Sequence, residues 1–178
     1  MEKMGEEIKH RKVLQSGETS NRILTQAREG EGFCQIMQLF NINRVIAASQ
    51  GIGVAQGALD KAIQYVKERK QSGQPLGAFQ AVQFRIAEMA NRVEAACNRC
   101  YQAAWMFDHG KADPKLISIA KYLGGKVGVK VANEALQLHG GYEYIADYDI
   151  ERFYRDAKIV EIYEGTKEIE KIPSPGSY

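Results

Sequence analysis

A single carboxylate in the segment Tyr163-Glu-Gly-Thr166 is the strongest candidate for chemistry in this sequence. A glutamate can act as a general base when its surroundings exclude water and hold it against the proton that it removes. The glycine after Glu164 permits a tight turn, which can leave the glutamate N–H free to donate to a developing negative charge. The alternative is a glutamate that lies near a helix start because the helix dipole stabilises its charge.

Two cysteines, in Cys97-Asn-Arg-Cys100, have the spacing of a redox motif or of half a zinc site. They lie inside an amphipathic helical pattern, without a second Cys or His pair to complete four ligands. We therefore predict that they pack in a helix interface and that the chain has no metal site. The odd count of three cysteines favours reduced thiols over a disulfide framework.

Two further motifs could be mistaken for functional ones. The glycines of Gly51-Ile-Gly53-Val-Ala-Gln-Gly57 resemble a dinucleotide fingerprint, but that loop must join a strand to a helix in a βαβ unit. The pattern contains no such unit, so we interpret these glycines as helix-packing residues. His139 has no acid or nucleophile near it in sequence, which does not favour a catalytic imidazole.

The composition describes an ordinary globular protein of 178 residues, with 44% hydrophobic residues, 26% charged residues and a net charge of +2. The small net charge gives no general preference for nucleic acid or a membrane surface. No apolar run approaches the ~20 residues that span a bilayer, and the N-terminus lacks the apolar centre of a secretory signal. We expect the cytoplasm or an organelle matrix.

Apolar residues recur at intervals of three and four along most of the chain, which predicts helices. The first should run from near Glu31 to about Lys70, and a Gly- and Pro-containing loop should follow as far as Phe79. The second should end at His109-Gly110, and Asp113-Pro114 should begin the third, which Gly140-Gly141 closes. The predicted inner faces carry Ile42, Ile46, Ile52, Leu59, Ile63 and Val66, then Val82, Ile86, Met89, Val93, Cys97, Cys100, Ala104 and Phe107, then Leu116, Ile119, Leu123, Val127, Val131 and Leu138.

The remaining segments are shorter. Tyr142–Asp149 reads as a loop, Ile150–Ile159 as a charged segment that could hold a short helix, and Lys167–Ile172 as a last short helix. Residues 173–178 should be a frayed tail, and residues 1–30 should be partly ordered, with weak strand candidates at 11–14 and 22–25. The pattern as a whole predicts an all-α fold, an antiparallel up-and-down four-helix bundle.

Several segments together resemble the acyl-CoA dehydrogenases, in the order and spacing of that family, from about Glu31 to about Ile172. The matching segments are Glu68-Arg-Lys-Gln-Ser-Gly73, Phe79-Gln80, Gln137-Leu-His-Gly-Gly141, Arg155-Asp-Ala-Lys158 and Tyr163-Glu-Gly-Thr166. The resemblance implies the helical C-terminal domain of such an enzyme, with residues 1–30 as a remnant of the preceding β-domain. It also implies fatty acid metabolism as the setting.

The resemblance further implies a reaction and its site. Glu164 would remove the α-proton of an acyl-CoA thioester while FAD takes the β-hydride. Arg44, Tyr163 and Gly165 would contact the acyl-CoA. Arg152, Arg155, Asp156 and Lys158 would form charge pairs that fix the loop carrying the base, and the alternative is a solvated charged helix. The residues implied to hold FAD are Arg69, Gln71, Gln80, Gln137, Leu138, His139, Gly140, Gly141, Thr166 and Glu168.

The family also implies two kinds of partner. An electron-transferring flavoprotein would reoxidise the flavin, and a homo-oligomer would form because residues such as Arg69 hold the FAD of a neighbouring subunit. The family's enzymes are about twice as long as this chain. A helical oligomerisation or binding module without complete chemistry is therefore the alternative function.

Overall fold

The structure is a computed structural model, and it describes residues 31–144 and 146–171. Contacts divide the chain into two compact units, Met1–Leu39 and Phe40–Tyr178. The described part of the first unit, residues 31–39, belongs to the beginning of the first helix. The predicted strands at 11–14 and 22–25 and the predicted tail at 173–178 lie outside the described residues.

Three long helices and one short helix dominate the described chain, which confirms the all-α prediction. The first three helices match their predicted positions within a few residues. Short 3₁₀ turns connect or follow them at Leu76–Ala78, Gly140–Tyr144, Ala146–Tyr148 and Ile169–Lys171. The elements are α1 (Gly32–Glu68), β1 (Lys70–Gln71), β2 (Gln74–Pro75), α2 (Gln80–Asp108), α3 (Pro114–His139) and α4 (Ile150–Val160).

Two segments differ from the prediction. The loop after α1 contains a small antiparallel pair, in which Lys70 faces Pro75 across a turn at Ser72 and Gly73, both with positive φ. Two residues per strand are too few to show an alternating pattern, so the sequence could not reveal it. The last short helix is only the 3₁₀ turn Ile169–Lys171, because so short a segment gains too few hydrogen bonds to propagate a helix.

The helix boundaries follow the predicted capping residues. Asp113 Oδ1 accepts a hydrogen bond from the Lys115 N–H at 2.9 Å, and Pro114 is the first residue of α3. Pro suits this position because its missing N–H would have no partner within the helix. At the end of α2, Gly110 has φ of +67°, as expected for a helix stop that favours glycine.

Helices α1 and α3 touch backbone to backbone. A Cβ added to Gly51 would lie 2.5 Å from the Gly124 carbonyl oxygen, and one on Gly124 would lie 2.6 Å from that of Ala48. Larger side chains at these positions would force the helices apart. The packing role is therefore confirmed for Gly51, whereas a Cβ on Gly53 would meet nothing within 4 Å.

Three isoleucines predicted to face the core are exposed: Ile42 at 41%, Ile46 at 59% and Ile119 at 38%. The six positions between Ile46 and the buried Ile52 place the two side chains about 120° apart around α1. Ile119 lies two positions beyond the fully buried Ile117, about 200° around α3. The buried face of α1 consists of Ala47, Ala48, Gly51, Ile52, Ala55, Ala58, Leu59, Ala62 and Val66.

The cysteines of α2 pack as predicted: Cys100 is buried, Cys97 is half-buried against the core, and both are free thiols. Burial raises the pKa of the Cys100 thiol, with a smaller contribution from Cys97. Residues 31–144 and 146–171 contain no cluster of His, Cys, Asp and Glu side chains that could hold a metal ion. Within the same ranges, no helix has an apolar stretch long enough to cross a membrane.

Candidate active site

Glu164 lies in a turn beyond the end of α4, in a backbone conformation that is unfavourable for a side chain. Its φ is +56°, and Gly165 follows with φ of +108°. Holding a residue other than glycine in this region costs about 1–3 kcal/mol, so the surrounding structure must impose it. A Cβ on Gly165 would collide with the Glu170 carboxylate, which restricts this position to glycine.

Two polar groups of Glu164 have no partner within the described part of the chain. The carboxylate oxygen Oε2 is buried without a hydrogen bond, and no described residue accepts a hydrogen bond from the backbone N–H. Buried polar groups normally have partners, so an unpaired one calls for an explanation such as a catalytic role or a missing ligand. A carboxylate and an N–H of one residue could serve as a base and as an oxyanion donor.

Two cations, the half-buried Arg44 and the buried Lys121, hold the backbone of this turn. Arg44 on α1 donates through Nε to the Glu164 carbonyl oxygen at 3.3 Å. Lys121 on α3, only 1% exposed, donates through Nζ to the Gly165 carbonyl oxygen. Each cation donates a hydrogen bond to the carbonyl oxygen of a residue with positive φ. Together they therefore fix the backbone conformation of the turn that carries Glu164.

The Glu170 carboxylate is the negative partner of Arg44 and Lys121. Its Oε1 lies 3.0 Å from Arg44 Nε, and its side chain is completely buried. Although neither Glu170 oxygen has a well-aligned hydrogen bond to Arg44, the separation makes this a close ion pair. Burial raises the pKa of Glu170, against the opposing effects of the Ser118 side chain and of the charges of Arg44 and Lys121. Burial likewise lowers the pKa of Lys121, against the charge of Glu170.

Tyr163 ties the turn to α1 on its other side. Its hydroxyl donates a hydrogen bond to Gln50 Oε1. Burial raises the pKa of Tyr163, and the charge of Glu164 raises it further, so the hydroxyl stays protonated. The structure thus brings together Arg44, Tyr163, Glu164 and Gly165, while sequence analysis missed Gln50, Lys121 and Glu170.

The start of the turn is anchored by Glu161. Its Oε2 lies 2.5 Å from Lys158 Nζ and 3.5 Å from Lys167 Nζ, and its carbonyl accepts from the Lys167 N–H at 3.2 Å. Burial alone would raise the pKa of Glu161, but hydrogen bonds and charges from the two lysines lower it overall.

Of the four charged residues expected to fix the turn, only Lys158 does so. Arg152 pairs with Asp149 at 3.2 Å, and Arg155 pairs with Glu151 at 3.2 Å. Both pairs lie on the exposed surface around α4, where sequence neighbours one turn apart meet. Asp156 is exposed and forms no ion pair with the described residues.

The lowered pKa of Glu161 predicts that this residue makes the fold sensitive to acid. A carboxyl group with a lower pKa in the folded state contributes stability above its unfolded pKa, and this contribution is lost as the pH falls through the folded pKa. Replacing Glu161 with Gln should therefore shrink the fall in unfolding free energy between pH 6 and pH 3, as measured by urea denaturation. Glu151→Gln, which removes a half-buried carboxylate paired with Arg155 on α4, is the control, and equal pH dependence in Glu161→Gln and the wild type would contradict the prediction.

Several of the residues expected to bind FAD lie in a second cluster, at the other end of α1. The Tyr65 ring stacks on His139 at 4.2 Å, and its hydroxyl donates to the His139 carbonyl oxygen at 3.2 Å. The Arg69 guanidinium lies 5.1 Å from the centroid of the Tyr142 ring. His139 is buried, and its Nδ1 lies 2.8 Å from the Ala135 carbonyl oxygen. Its position is that of a packing residue.

The surface of this second cluster can accept an anionic ligand. Arg69 is exposed, and no carboxylate pairs with it within the described ranges. Gly140 has φ of +62°, and a Cβ on Gly140 or Gly141 would meet nothing within 4 Å. A guanidinium beside open glycine backbone suits a pyrophosphate, because its fork of donors matches phosphate oxygens. Gln71, Gln80 and Gln137 are exposed, while Leu138 is buried.

The other two residues of the FAD prediction lie beside Glu164. Thr166 is half-buried, and its hydroxyl accepts from the Ile169 N–H at 3.4 Å. Glu168 is exposed. The two clusters are well separated, because 21 positions of α1 between Arg44 and Tyr65 correspond to about 32 Å. They form distinct sites within one chain.

Comparison with known proteins gives a consistent match. The family described as acyl-CoA dehydrogenase, C-terminal domain, matches residues 30–172. A caffeyl-CoA reductase-Etf complex subunit, CarC, from Acetobacterium woodii is 44% identical over 146 residues, which cover 82% of this chain and 38% of that protein. An acyl-CoA dehydrogenase from Bacillus subtilis is 43% identical over 145 residues, which cover 82% of this chain and 38% of that protein.

Solved structures agree with the sequence matches. Butyryl-CoA dehydrogenase from Megasphaera elsdenii superposes with a TM-score of 0.80 at 41% identity, over 81% of this chain and 38% of that one. The chain thus spans a little over a third of the length of the relatives that it matches.

Proposed function

Because this chain belongs to the acyl-CoA dehydrogenase family and matches its C-terminal domain, we propose that it supplies the proton-abstracting half of an α,β-dehydrogenation of acyl-CoA. One observation carries the proposal: a buried, unpaired carboxylate oxygen of Glu164, on a strained turn whose carbonyls Arg44 and Lys121 hold. A buried carboxylate oxygen without a partner calls for an explanation, and a role as a base would provide one.

In the proposed mechanism Glu164 removes the α-proton of the thioester. Its N–H then donates to the thioester oxygen, where negative charge develops. Arg44 and Lys121 keep the turn rigid, so the carboxylate does not need to reorient during proton transfer. Arg44 and Tyr163 also border the position of the acyl group, as the family resemblance implies, and Gly165 leaves room beside it.

FAD, when bound, would accept the hydride from the β-carbon. Arg69, Gln71, Gln80, Gln137 and the segment Leu138–Gly141 would hold its phosphates and adenosine. Thr166 and Glu168, which flank the base, would lie nearer the flavin. The exposed Arg69 and the open glycine backbone support this assignment on physical grounds.

The separation of the two clusters supports a homo-oligomer. Arg44 and Tyr65 lie about 32 Å apart along α1, so the Arg69 cluster is far from Glu164 of its own chain. A neighbouring copy could bring its Arg69 cluster to the flavin that serves this Glu164. Exposed large apolar residues on α2, including Phe84 at 64% and Tyr101 at 72%, supply surface for such contacts.

An electron-transferring flavoprotein is the proposed electron partner. The Acetobacterium woodii relative is named as a subunit of an Etf complex, which supports the same kind of partner here. That relative is also named a reductase. In the reverse reaction Glu164 would return the proton to the α-carbon.

A second function is a helical assembly or binding module without chemistry of its own. The exposed large apolar residues of α2, among them Phe84 and Tyr101, favour it because they offer surface for helix contacts. In that case Arg69 and Glu164 would be inherited features without a ligand.

Flavin uptake separates the two functions. We expect the purified 178-residue protein, incubated with FAD and desalted, to retain a visible flavin absorbance and to sediment as an oligomer at micromolar concentration. Arg69→Ala should weaken FAD retention, whereas Arg155→Ala, a surface control on α4, should not. A colourless oligomer that cannot be reconstituted with FAD would favour the assembly module, and a monomer would contradict the homo-oligomer.

A further inference from the structure

A groove of about 610 Å³ lies between α2, α3 and α4, and its lining includes Glu161 and Lys167, which also anchor the start of the Glu164 turn. Its lining contains neither Glu164 nor Arg69. Its floor is apolar and partly made of small residues, among them Ala95, Ala96 and Val127. Small side chains allow another backbone to approach closely.

The rim of this groove carries many cations, and we call it the basic groove. Five lysine and arginine side chains line it, at positions 92, 126, 130, 167 and 171, against the single carboxylate of Glu161. Arg92 is paired with Glu88, Lys130 with Glu134 and Lys167 with Glu161.

Two of these cations lack a carboxylate partner in the part of the chain that the structure describes. They are Lys126 and Lys171, whose ammonium groups lie 5.5 Å and 5.6 Å from the centroid of the Tyr122 ring. Cations over an aromatic face that have no counter-ion within the protein can pair with carboxylates of a ligand.

The shape of the groove favours an elongated ligand. The lining residues of α3 run from Tyr122 to Asn133, a rise of about 16 Å along that helix. A helix of about eleven residues has the same length. Lys126 and Lys171 both lie at the Tyr122 end of the groove, so a bound helix would place its acidic residues at that end and its apolar side along the rest of the groove.

We propose that the basic groove binds an acidic amphipathic helix of a partner protein. An apolar stripe of the partner, with residues three and four positions apart, would lie on the floor formed by α2 and α3. Glutamates or aspartates beside the stripe would pair with Lys126 and Lys171. This surface borders the anchor of the catalytic turn through Glu161 and Lys167 but contains neither Glu164 nor Arg44, and the proposal does not depend on catalytic activity.

A labelled peptide tests this proposal on the intact 178-residue protein. The probe is an amphipathic helical peptide with a leucine stripe flanked by glutamates, and its binding is followed by fluorescence anisotropy in 50 mM salt. We expect saturable binding that weakens as salt screens the charges. Lys126→Glu combined with Lys171→Glu should weaken it at least about tenfold, because two attractions become repulsions. Lys111→Glu, on the exposed connection before α3, should bind like the wild type.

Several results would overturn the proposal. They are no binding up to millimolar peptide, equal affinity of the double variant, or equal binding of a peptide with lysines in place of the glutamates. Displacement of the peptide by decanoate at low concentration would assign the groove to a small amphiphilic anion instead. Self-association of the protein that the double variant abolishes would assign it to a second copy of the chain. Circular dichroism of each variant verifies that the helices are retained.

Discussion

Replacing Glu164 with Gln should reduce turnover by about 10²–10⁴-fold, the usual contribution of a general base. The assay uses a chimera in which residues 30–172 replace the matching segment of Megasphaera elsdenii butyryl-CoA dehydrogenase, because the chain covers only 38% of that enzyme. Glutamine keeps the size and polarity of the side chain but cannot accept the α-proton. The substitution should therefore lower kcat, and binding of acyl-CoA should be largely retained.

A neighbouring substitution controls for general damage. Asp156→Asn removes an exposed carboxylate on α4 that has no ion-pair partner among the described residues, and it should leave kcat unchanged. If Glu164→Gln kept wild-type turnover in the same chimera, the assignment of the base would be wrong.

Removing the Glu170 carboxylate should be the most destabilising single change at the candidate site. Glu170→Ala would leave the buried Lys121 and the half-buried Arg44 without their negative partner. Loss of one member of a buried ion pair typically costs about 3–5 kcal/mol. Urea denaturation of the 178-residue protein, followed by circular dichroism, measures the change in unfolding free energy.

The matched control removes an exposed glutamate. Glu88→Ala breaks a pair with Arg92 in which the glutamate side chain is 63% exposed, and it should cause a much smaller loss because solvent screens such pairs. Similar losses for Glu88→Ala and Glu170→Ala would contradict the view that Glu170 anchors the turn. Lys121→Met should also destabilise the protein, but less, because burial already disfavours the charged lysine.

The helices could be predicted because their signals are local. Asp113 and Pro114 together identify the start of α3, and the three- and four-residue spacing from Met89 to Cys100 identifies the buried face of α2. Local spacing was less reliable on α1, where Ile42 and Ile46 belong to a different face from Ile52. Hydrophobicity alone does not indicate which of two apolar faces of a helix packs against the rest of the protein.

The support of the candidate base could not be predicted, because it depends on contacts between distant parts of the chain. Arg44 and Glu164 are 120 positions apart, and Lys121 and Gly165 are 44 apart. One signal was available: Lys121 directly follows the buried Ala120 on the apolar face of α3. A lysine in that position must find a buried acceptor, although the sequence does not identify which one.

Exchange of the α-proton with solvent tests the central claim most directly, since it observes the proposed step without requiring electron transfer to a partner. The FAD-loaded chimera is incubated with butyryl-CoA in D₂O, and deuterium at the α-carbon is followed by NMR. We predict exchange with Glu164 present and a loss of about 10²-fold or more in Glu164→Gln. Equal exchange rates in the two proteins, with equal FAD content, would show that another group removes the proton.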